Sequence, residues 1–184
     1  MSWVARTELG TLTGAEAAGP PIGLRGDALL SAYYLNELML FFLHRDDPQP
    51  EIFSLYEDVI PRLADAAELA ATLRNFELDL LGLLGYAVSL DQEAGTDETI
   101  VPDRYYDYRI EQGPVAVQRT EGPLVFRGEL LLAIGARQFG HDEALRAASR
   151  LMREIIAYHL GGKELQSRKV LREVHRGRIA PRAD

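Results

Sequence analysis

The chain contains no cysteine. Disulfide bonds, cysteine-ligated zinc and thiol catalysis are therefore excluded, and a reducing cytosol is a compatible setting. The first ten residues lack the apolar core of a secretory signal peptide. The most apolar segment, residues 28–43, is too short to cross a bilayer comfortably and contains Asn36 and Glu37. We therefore expect a cytoplasmic protein with no membrane role.

The motifs of common catalytic sites are also missing. No two of the four histidines have the i, i+4 spacing of a zinc-binding helix. Gly161-Gly162-Lys163 resembles part of a phosphate-binding loop, but Ala157 stands where that loop needs its first glycine, and Glu164 replaces its Ser or Thr. The clustered carboxylates fit a solvated surface better than acid–base chemistry. We predict a protein that is not an enzyme, with no metal and no cofactor; a metal-dependent hydrolase is a weaker alternative.

Charge is distributed unevenly along the chain. The whole chain carries a net charge of −8, which argues against a surface that is basic throughout. Residues 146–184 hold ten bases and four acids, so their net charge is +6. Residues 1–145 hold the other ten bases and 24 acids, so their net charge is −14. An acidic body with a basic C-terminal quarter suggests a localised site for an anionic partner.

Periodic apolar residues predict a mainly α protein, a helical bundle. The clearest helix carries Leu69, Leu73, Phe76, Leu80 and Leu83 at three- and four-residue steps. Gly85 suits its C-terminal cap, and Gly82 within it suggests that another backbone approaches closely. The first helix, which Asp27 could cap, is apolar nearly all round and should be the central core helix. The six predicted helices cover about residues 27–44, 50–67 (with a break or kink at Pro61), 69–85, 128–136, 142–160 and 165–175.

Two short stretches have β character instead. Residues 2–9 partly alternate and predict one short strand, for which no nearby segment offers a partner. In residues 88–126, Tyr106, Tyr108 and Ile110 alternate, and Val115 and Val117 alternate after a glycine, which predicts a small β-hairpin or three-stranded flap. We divide the chain into an orphan strand (1–13), a linker (14–26), a helical domain (27–176) and a tail (177–184).

Three segments, in this order and spacing, resemble the bacterial RecO family of DNA repair proteins. The first is Tyr33-Tyr34-Leu35-Asn36-Glu37-Leu38, where members carry Y-x-N-E-L. The second is Leu73-Arg74-Asn75-Phe76-Glu77-Leu78 with the following L-L-G-L-L-G-Y, similar to the family's L-R-x-F-E-L…L-L-G-x-L-G-Y helix. The third runs from Tyr158 to Arg168 and is similar to Y-L-G-G-K-x-L-x-S-R. The resemblance covers about residues 2–176.

The resemblance implies a fold and its limits. RecO proteins have an N-terminal OB-fold barrel and a helical domain with a small zinc-finger-like insertion. Residues 2–9 then correspond to the last strand of an OB-fold whose other strands are absent, through either a truncation or a start placed late in the reading frame. Many members have cysteines in the insertion, but Glu93 stands about where one would be. Zinc is therefore not expected, and packing of Tyr106 and Tyr108 should hold the insertion.

The resemblance also implies a function. RecO proteins act in the RecF pathway as recombination mediators: they bind SSB, RecR and single- or double-stranded DNA, help load RecA and anneal strands at the nucleoid. We expect DNA binding to be weak without the barrel, and RecR binding to be lost if its contacts fall on the missing part. A generic helical interaction module without a DNA role is the alternative.

Basic residues are the candidate site residues. Some members bind the acidic C-terminal tail of SSB, and an arginine can grip a carboxylate with two parallel hydrogen bonds beside an apolar pocket. We select Arg74, from the L-R-x-F-E motif, then Arg146 and Arg150, one turn apart on one helix face. The alternative for each is a solvated charge or an internal salt bridge. The candidates for DNA phosphate contacts are Lys163, Arg168, Lys169 and Arg172, and a solubilising helix face is the alternative.

Overall fold

The computed structural model describes residues 2–5, 10–17, 19–96 and 98–179. These residues form six helices, a two-stranded sheet and a three-stranded sheet, so the predicted mainly α bundle with a β insertion is confirmed. The strands are β1 (Ser2–Ala5), β2 (Gly10–Gly14), β3 (Tyr105–Arg109), β4 (Gly113–Val117) and β5 (Val125–Arg127). The helices are α1 (Gly26–Phe42), α2 (Pro50–Arg62), α3 (Leu69–Leu83), α4 (Gly128–Gly135), α5 (Asp142–His159) and α6 (Gln166–Ile179).

The N-terminal strand is not an orphan, contrary to our prediction. β1 pairs antiparallel with β2, with Val4 opposite Thr11 and Ser2 opposite Gly14. The predicted strand also included residues 6–9, which lie outside the described residues. The sequence of β2, Gly-Thr-Leu-Thr-Gly, alternates as a strand should, but its flanking glycines and single apolar side chain weaken the signal. The predicted linker therefore begins only after β2.

α1 is less buried than predicted. Tyr34, Leu35 and Leu38 are buried, but Leu40 on the outer face is 82% exposed and Tyr33 is exposed too. α1 is therefore not the central core helix that its apolar composition led us to expect. Other parts of the protein cover only one side of it. Asp27 is not the N-cap that we predicted, because Arg25 occupies that position. Asp27 lies in the first turn, where the helix dipole stabilises a negative charge.

α2 and α3 follow the predicted pattern with two differences. α2 ends at Arg62 rather than at Ala67, and Pro61 lies inside it: the Leu63 N–H still donates to the Val59 carbonyl at 3.2 Å, so the predicted break at Pro61 does not interrupt the helical hydrogen bonds beyond it. α3 spans the predicted stripe, and Gly85 after it has the positive φ of +82° expected of a C-terminal cap. The expectation for Gly82 was wrong: an added Cβ would meet nothing within 4 Å. Among the residues that the structure describes, no other backbone approaches it.

The β insertion forms the predicted three-stranded sheet. β3 is its central strand and pairs antiparallel with β4 and β5, so that Tyr106 lies between Ala116 and Phe126. The side chains of Tyr106 and Tyr108 are buried, as predicted, and the Tyr106 hydroxyl accepts a hydrogen bond from the Val101 N–H at 3.0 Å. The sheet therefore joins the main core through its aromatic side chains.

The last three helices enclose the rest of the core. α5 packs against α3 and α4, and α6 packs mainly against α1. The buried face of α5 is apolar, whereas its other face carries arginines, a division that follows helical periodicity. Gly161 and Gly162 have φ values of +62° and +76°, so the break predicted between α5 and α6 uses backbone conformations that glycine adopts without strain. The buried α5 residues are Ala144, Ala147, Ala148, Leu151, Met152, Ile155 and Ile156.

Two glycines should respond oppositely to alanine. At Gly128, an added Cβ would lie 2.8 Å from the Val101 carbonyl carbon and closer still to its oxygen, so we expect Gly128→Ala to lower the free energy of unfolding. The loss should be about 2 kcal/mol. Gly82→Ala has open space and better helix propensity, so it should stabilise by up to about 1 kcal/mol. Urea denaturation of both variants tests this, and equal effects would contradict the packing described at Val101.

Candidate functional site

A buried carboxylate lies beneath the candidate site. The side chain of Glu77 on α3 is 0% exposed. Its Oε1 accepts a hydrogen bond from the Tyr34 hydroxyl of α1 and another from Nη2 of Arg74, both at 2.6 Å. Burial of a charged group is costly unless the group is paired and hydrogen-bonded. The Arg74 guanidinium, one helical turn away and largely buried, supplies the opposite charge.

Arg168 extends this network to α6. Its Nη2 donates a hydrogen bond to the Tyr34 hydroxyl oxygen at 3.1 Å, and its Cζ lies 5.1 Å from the centre of the Tyr34 ring. The latter distance is within the range of a cation–π contact. Burial, and then the charge of Glu77, raises the pKa of Tyr34 above its usual value, so the phenol keeps the proton that it donates to Glu77. One tyrosine thus links α1, α3 and α6.

A second carboxylate, that of Glu37 on α1, binds the start of α6. Glu37 accepts hydrogen bonds from the Gln166 N–H at 2.7 Å, the Ser167 N–H at 2.9 Å and the Ser167 hydroxyl at 2.6 Å. These backbone donors have no partner within the helix because they lie in its first turn. Partial burial opposes ionisation, but the hydrogen bonds from Ser167 and Gln166 and the charge of Arg168 hold the pKa of Glu37 below its usual value.

The network forms one side of a cavity of about 350 Å³, here called the arginine cavity. Its cations come from three helices: Arg74 from α3, Arg153 from α5, and Arg168 and Arg172 from α6. Four guanidinium groups around a small apolar cavity can bind carboxylates while the apolar wall takes a hydrophobic side chain. The other lining residues are Leu30, Ser31, Tyr34, Leu73, Ser149, Ser167 and Leu171.

A second cavity of about 540 Å³ adjoins the arginine cavity along α5. The two share Ser149 and Arg153. Arg146 lines the second cavity with a side chain that is 75% exposed, and its nearest charge partner, Asp142, is 3.9 Å away. Arg150 also lines it, but its Nη2 donates to the Val125 carbonyl at 3.0 Å and its Cζ lies 4.4 Å from the centre of the Phe126 ring. Arg146 is therefore more available to a ligand than Arg150.

The structure regroups the residues predicted from sequence. Arg74 lines the arginine cavity, but Arg146 and Arg150 line the neighbouring one. Two of the predicted phosphate contacts, Arg168 and Arg172, line the arginine cavity together with Arg74. The other two lie outside its lining: Lys163 lies 5.7 Å from the centre of the Phe41 ring, and Lys169 is exposed on α6.

One cation of the arginine cavity was missed by the sequence analysis. Arg153 lies on α5, seven residues after Arg146 and three after Arg150. Residues at these spacings share a helix face, so the same periodicity that paired Arg146 with Arg150 could have added Arg153. No local pattern in the sequence brings this face to the same cavity as Arg74.

The histidines offer no cluster of reactive groups in the part of the chain that the structure describes. His159 stacks on Tyr86 with ring centres 4.1 Å apart, and burial lowers its pKa below the usual value. Across residues 2–5, 10–17, 19–96 and 98–179, no three His, Asp or Glu side chains come together as metal ligands would. Among the same residues, no helix combines the length and apolar character needed to span a membrane.

Comparison with known proteins identifies relatives along nearly the whole chain. Residues 24–169 match the family described as "Recombination protein O C terminal". The chain is similar to the DNA repair protein RecO of Nitrosococcus oceani, with 44% identity over 178 residues, which are 96% of this chain and 72% of the relative. It is 44% identical to that of Methylococcus capsulatus (94% and 70% covered) and 39% identical to that of Dechloromonas aromatica (95% and 73%).

Removing Arg74 should destabilise the fold itself. Arg74→Ala leaves the buried Glu77 carboxylate with the Tyr34 hydroxyl as its remaining partner, so we expect the free energy of unfolding to fall by about 3 kcal/mol. Arg146→Ala removes the same side chain from an exposed position and should change stability by less than about 0.5 kcal/mol. Urea denaturation measures both variants. Equal losses would show that the Arg74–Glu77 pair does not stabilise the helix packing.

Proposed function

The chain belongs to the RecO family of DNA repair proteins, and from this premise we propose that it is a recombination mediator whose arginine cavity binds the acidic C-terminal tail of SSB. The observation that carries the proposal is the convergence of Arg74, Arg153, Arg168 and Arg172 around a small, partly apolar cavity. Such a protein acts by binding rather than by catalysis. In this proposal it works in the cytoplasm at the nucleoid, helping RecA loading and strand annealing.

The donors of the cavity suit an acidic peptide that ends in a carboxylate. Each guanidinium has five N–H donors, and Arg74 and Arg168 each direct one nitrogen to Glu77 or Tyr34, so other donors stay available. Arg153 and Arg172 are exposed and extend the positive charge towards the rim. Leu30, Leu73 and Leu171 provide an apolar wall for one hydrophobic side chain of the peptide.

DNA and RecR are secondary partners in this proposal. Lys163 and Lys169 are exposed near Arg172 on the basic C-terminal part of the chain, where they can meet DNA phosphates weakly and without sequence preference. We assign residues 27–176 to the helical domain, residues 88–126 to its β insertion, and the β1–β2 hairpin to the end of the N-terminal barrel. RecR binding is expected only if its contacts lie in this domain.

The tail proposal predicts a specific loss of peptide binding. Arg153 forms no intramolecular ion pair among the described residues, so Arg153→Ala should weaken binding of a fluorescent SSB C-terminal peptide without unfolding the protein. The expected loss is about tenfold, the value of one hydrogen bond to a charged group. Fluorescence anisotropy at low and moderate salt measures it, and binding should weaken as salt screens the charges.

The control variant is Arg62→Ala, which removes the same charge from the exposed end of α2. It should bind the peptide as the unchanged protein does. A peptide with an amidated C-terminus should bind more weakly, because it lacks the terminal carboxylate. Absence of binding to the folded, unchanged protein would contradict the proposal and favour a helical interaction module of another kind.

A further inference from the structure

Resting on the proposed peptide site, we infer that Glu37 is a positioning residue: by holding the first turn of α6, it keeps Arg168 and Arg172 at the arginine cavity together with Arg74 and Arg153. Glu37 does not line the arginine cavity itself. Its influence on a ligand therefore passes through the placement of α6. Glu37 thus acts on how the site is assembled, a role for this residue of the first sequence segment that peptide contacts alone leave unexplained.

Glu37 accepts three hydrogen bonds from two consecutive residues at the start of α6. Both oxygens are used: Oε1 accepts from the Gln166 N–H, and Oε2 accepts from the N–H and hydroxyl of Ser167. Leu165, directly before the helix, is buried in the main core and fixes the same point. The start of α6 is thus held by one carboxylate and one apolar side chain.

The rest of α6 has fewer restraints. Its packing is mainly with α1, and Gln166, Lys169 and Val170 are exposed on its outer side. The preceding Gly161-Gly162 pair has positive φ angles, which glycine adopts without strain, and its two N–H groups donate to carbonyls at the end of α5, so this connection is bonded to α5 rather than to α6. Arg168, also in the first turn, contacts Tyr34, and the side chain of Arg172, one turn later, contacts Glu164.

The arginine cavity is divided between this helix and the body of the protein. Arg74 on α3 and Arg153 on α5 belong to the body, whereas Arg168 and Arg172 belong to α6. A ligand that contacts all four needs α6 in the position seen here. Loss of the Glu37 hydrogen bonds would let α6 move away and leave only the two body arginines for the ligand.

The test compares Glu37→Gln with Glu57→Gln, which removes the same charge from an exposed position on α2. The amide can keep only part of the hydrogen bonding and lacks the charge, so Glu37→Gln should weaken binding of the SSB C-terminal peptide about tenfold. Hydrogen exchange followed by mass spectrometry should show faster exchange in residues 166–172 and unchanged exchange in α3 and α5. Glu57→Gln should change neither measurement.

Two further variants separate positioning from a general loss of stability. Ser167→Ala removes one of the three hydrogen bonds and should produce a smaller effect in the same direction. In a protein that already carries Arg168→Ala and Arg172→Ala, Glu37→Gln should cause no further loss of peptide affinity, measured at low salt. A further tenfold loss in that background, or faster exchange throughout the chain in Glu37→Gln, would overturn the inference.

Failure of the inference and failure of the proposed function give different results. Unchanged exchange in residues 166–172 and unchanged peptide affinity in Glu37→Gln overturn the positioning role alone. If the unchanged protein does not bind the peptide, the proposed function fails, and the exchange measurement alone then decides whether Glu37 anchors α6.

Discussion

Glu77 is fully buried on α3, and an ionised carboxylate at that depth is stable only when charge and hydrogen bonds compensate its lost hydration. Arg74 supplies the charge and Tyr34 a second hydrogen bond. Because Tyr34 belongs to α1 and its oxygen also accepts a bond from Arg168, this requirement links α1, α3 and the start of α6. The position of the arginine cavity follows from it, since the cavity lies where these helices meet α5.

Arg74 therefore contributes both to the stability of the fold and to the arginine cavity. Arg74 neutralises Glu77 and also lines the arginine cavity, so its removal changes the fold and the ligand contacts together. Arg153 and Arg172 lie nearer the rim and are exposed, so they report on ligand binding with less effect on the core. The buried Arg74–Glu77 pair and the exposed Arg153 and Arg172 form one site, because the buried pair helps to position the helices that carry the exposed arginines.

Local features were predictable from the sequence, and contacts between distant segments were not. Periodicity identified α3 and α5, and Gly85 marked a helix end, because these depend on neighbouring residues. Tyr34 and Glu77 are 43 residues apart, and Arg168 is 134 residues from Tyr34, so no local pattern connects them. Charge alone suggested phosphate contacts for Arg168, whereas in the tertiary structure it contacts Tyr34, and its charge acts on Glu37.

The three segments that carried the family resemblance meet at this network. Tyr34 and Glu37 come from the first, Arg74 and Glu77 from the second, and Ser167 and Arg168 from the third. Two carboxylates of different helices thus act on α6, one through its first turn and one through Tyr34. If seating of α6 favours an anionic ligand, reciprocity of binding free energies requires that the ligand also favour the seated helix. A ligand that binds both Arg74 and Arg172 would then add a contact between α6 and the rest of the protein.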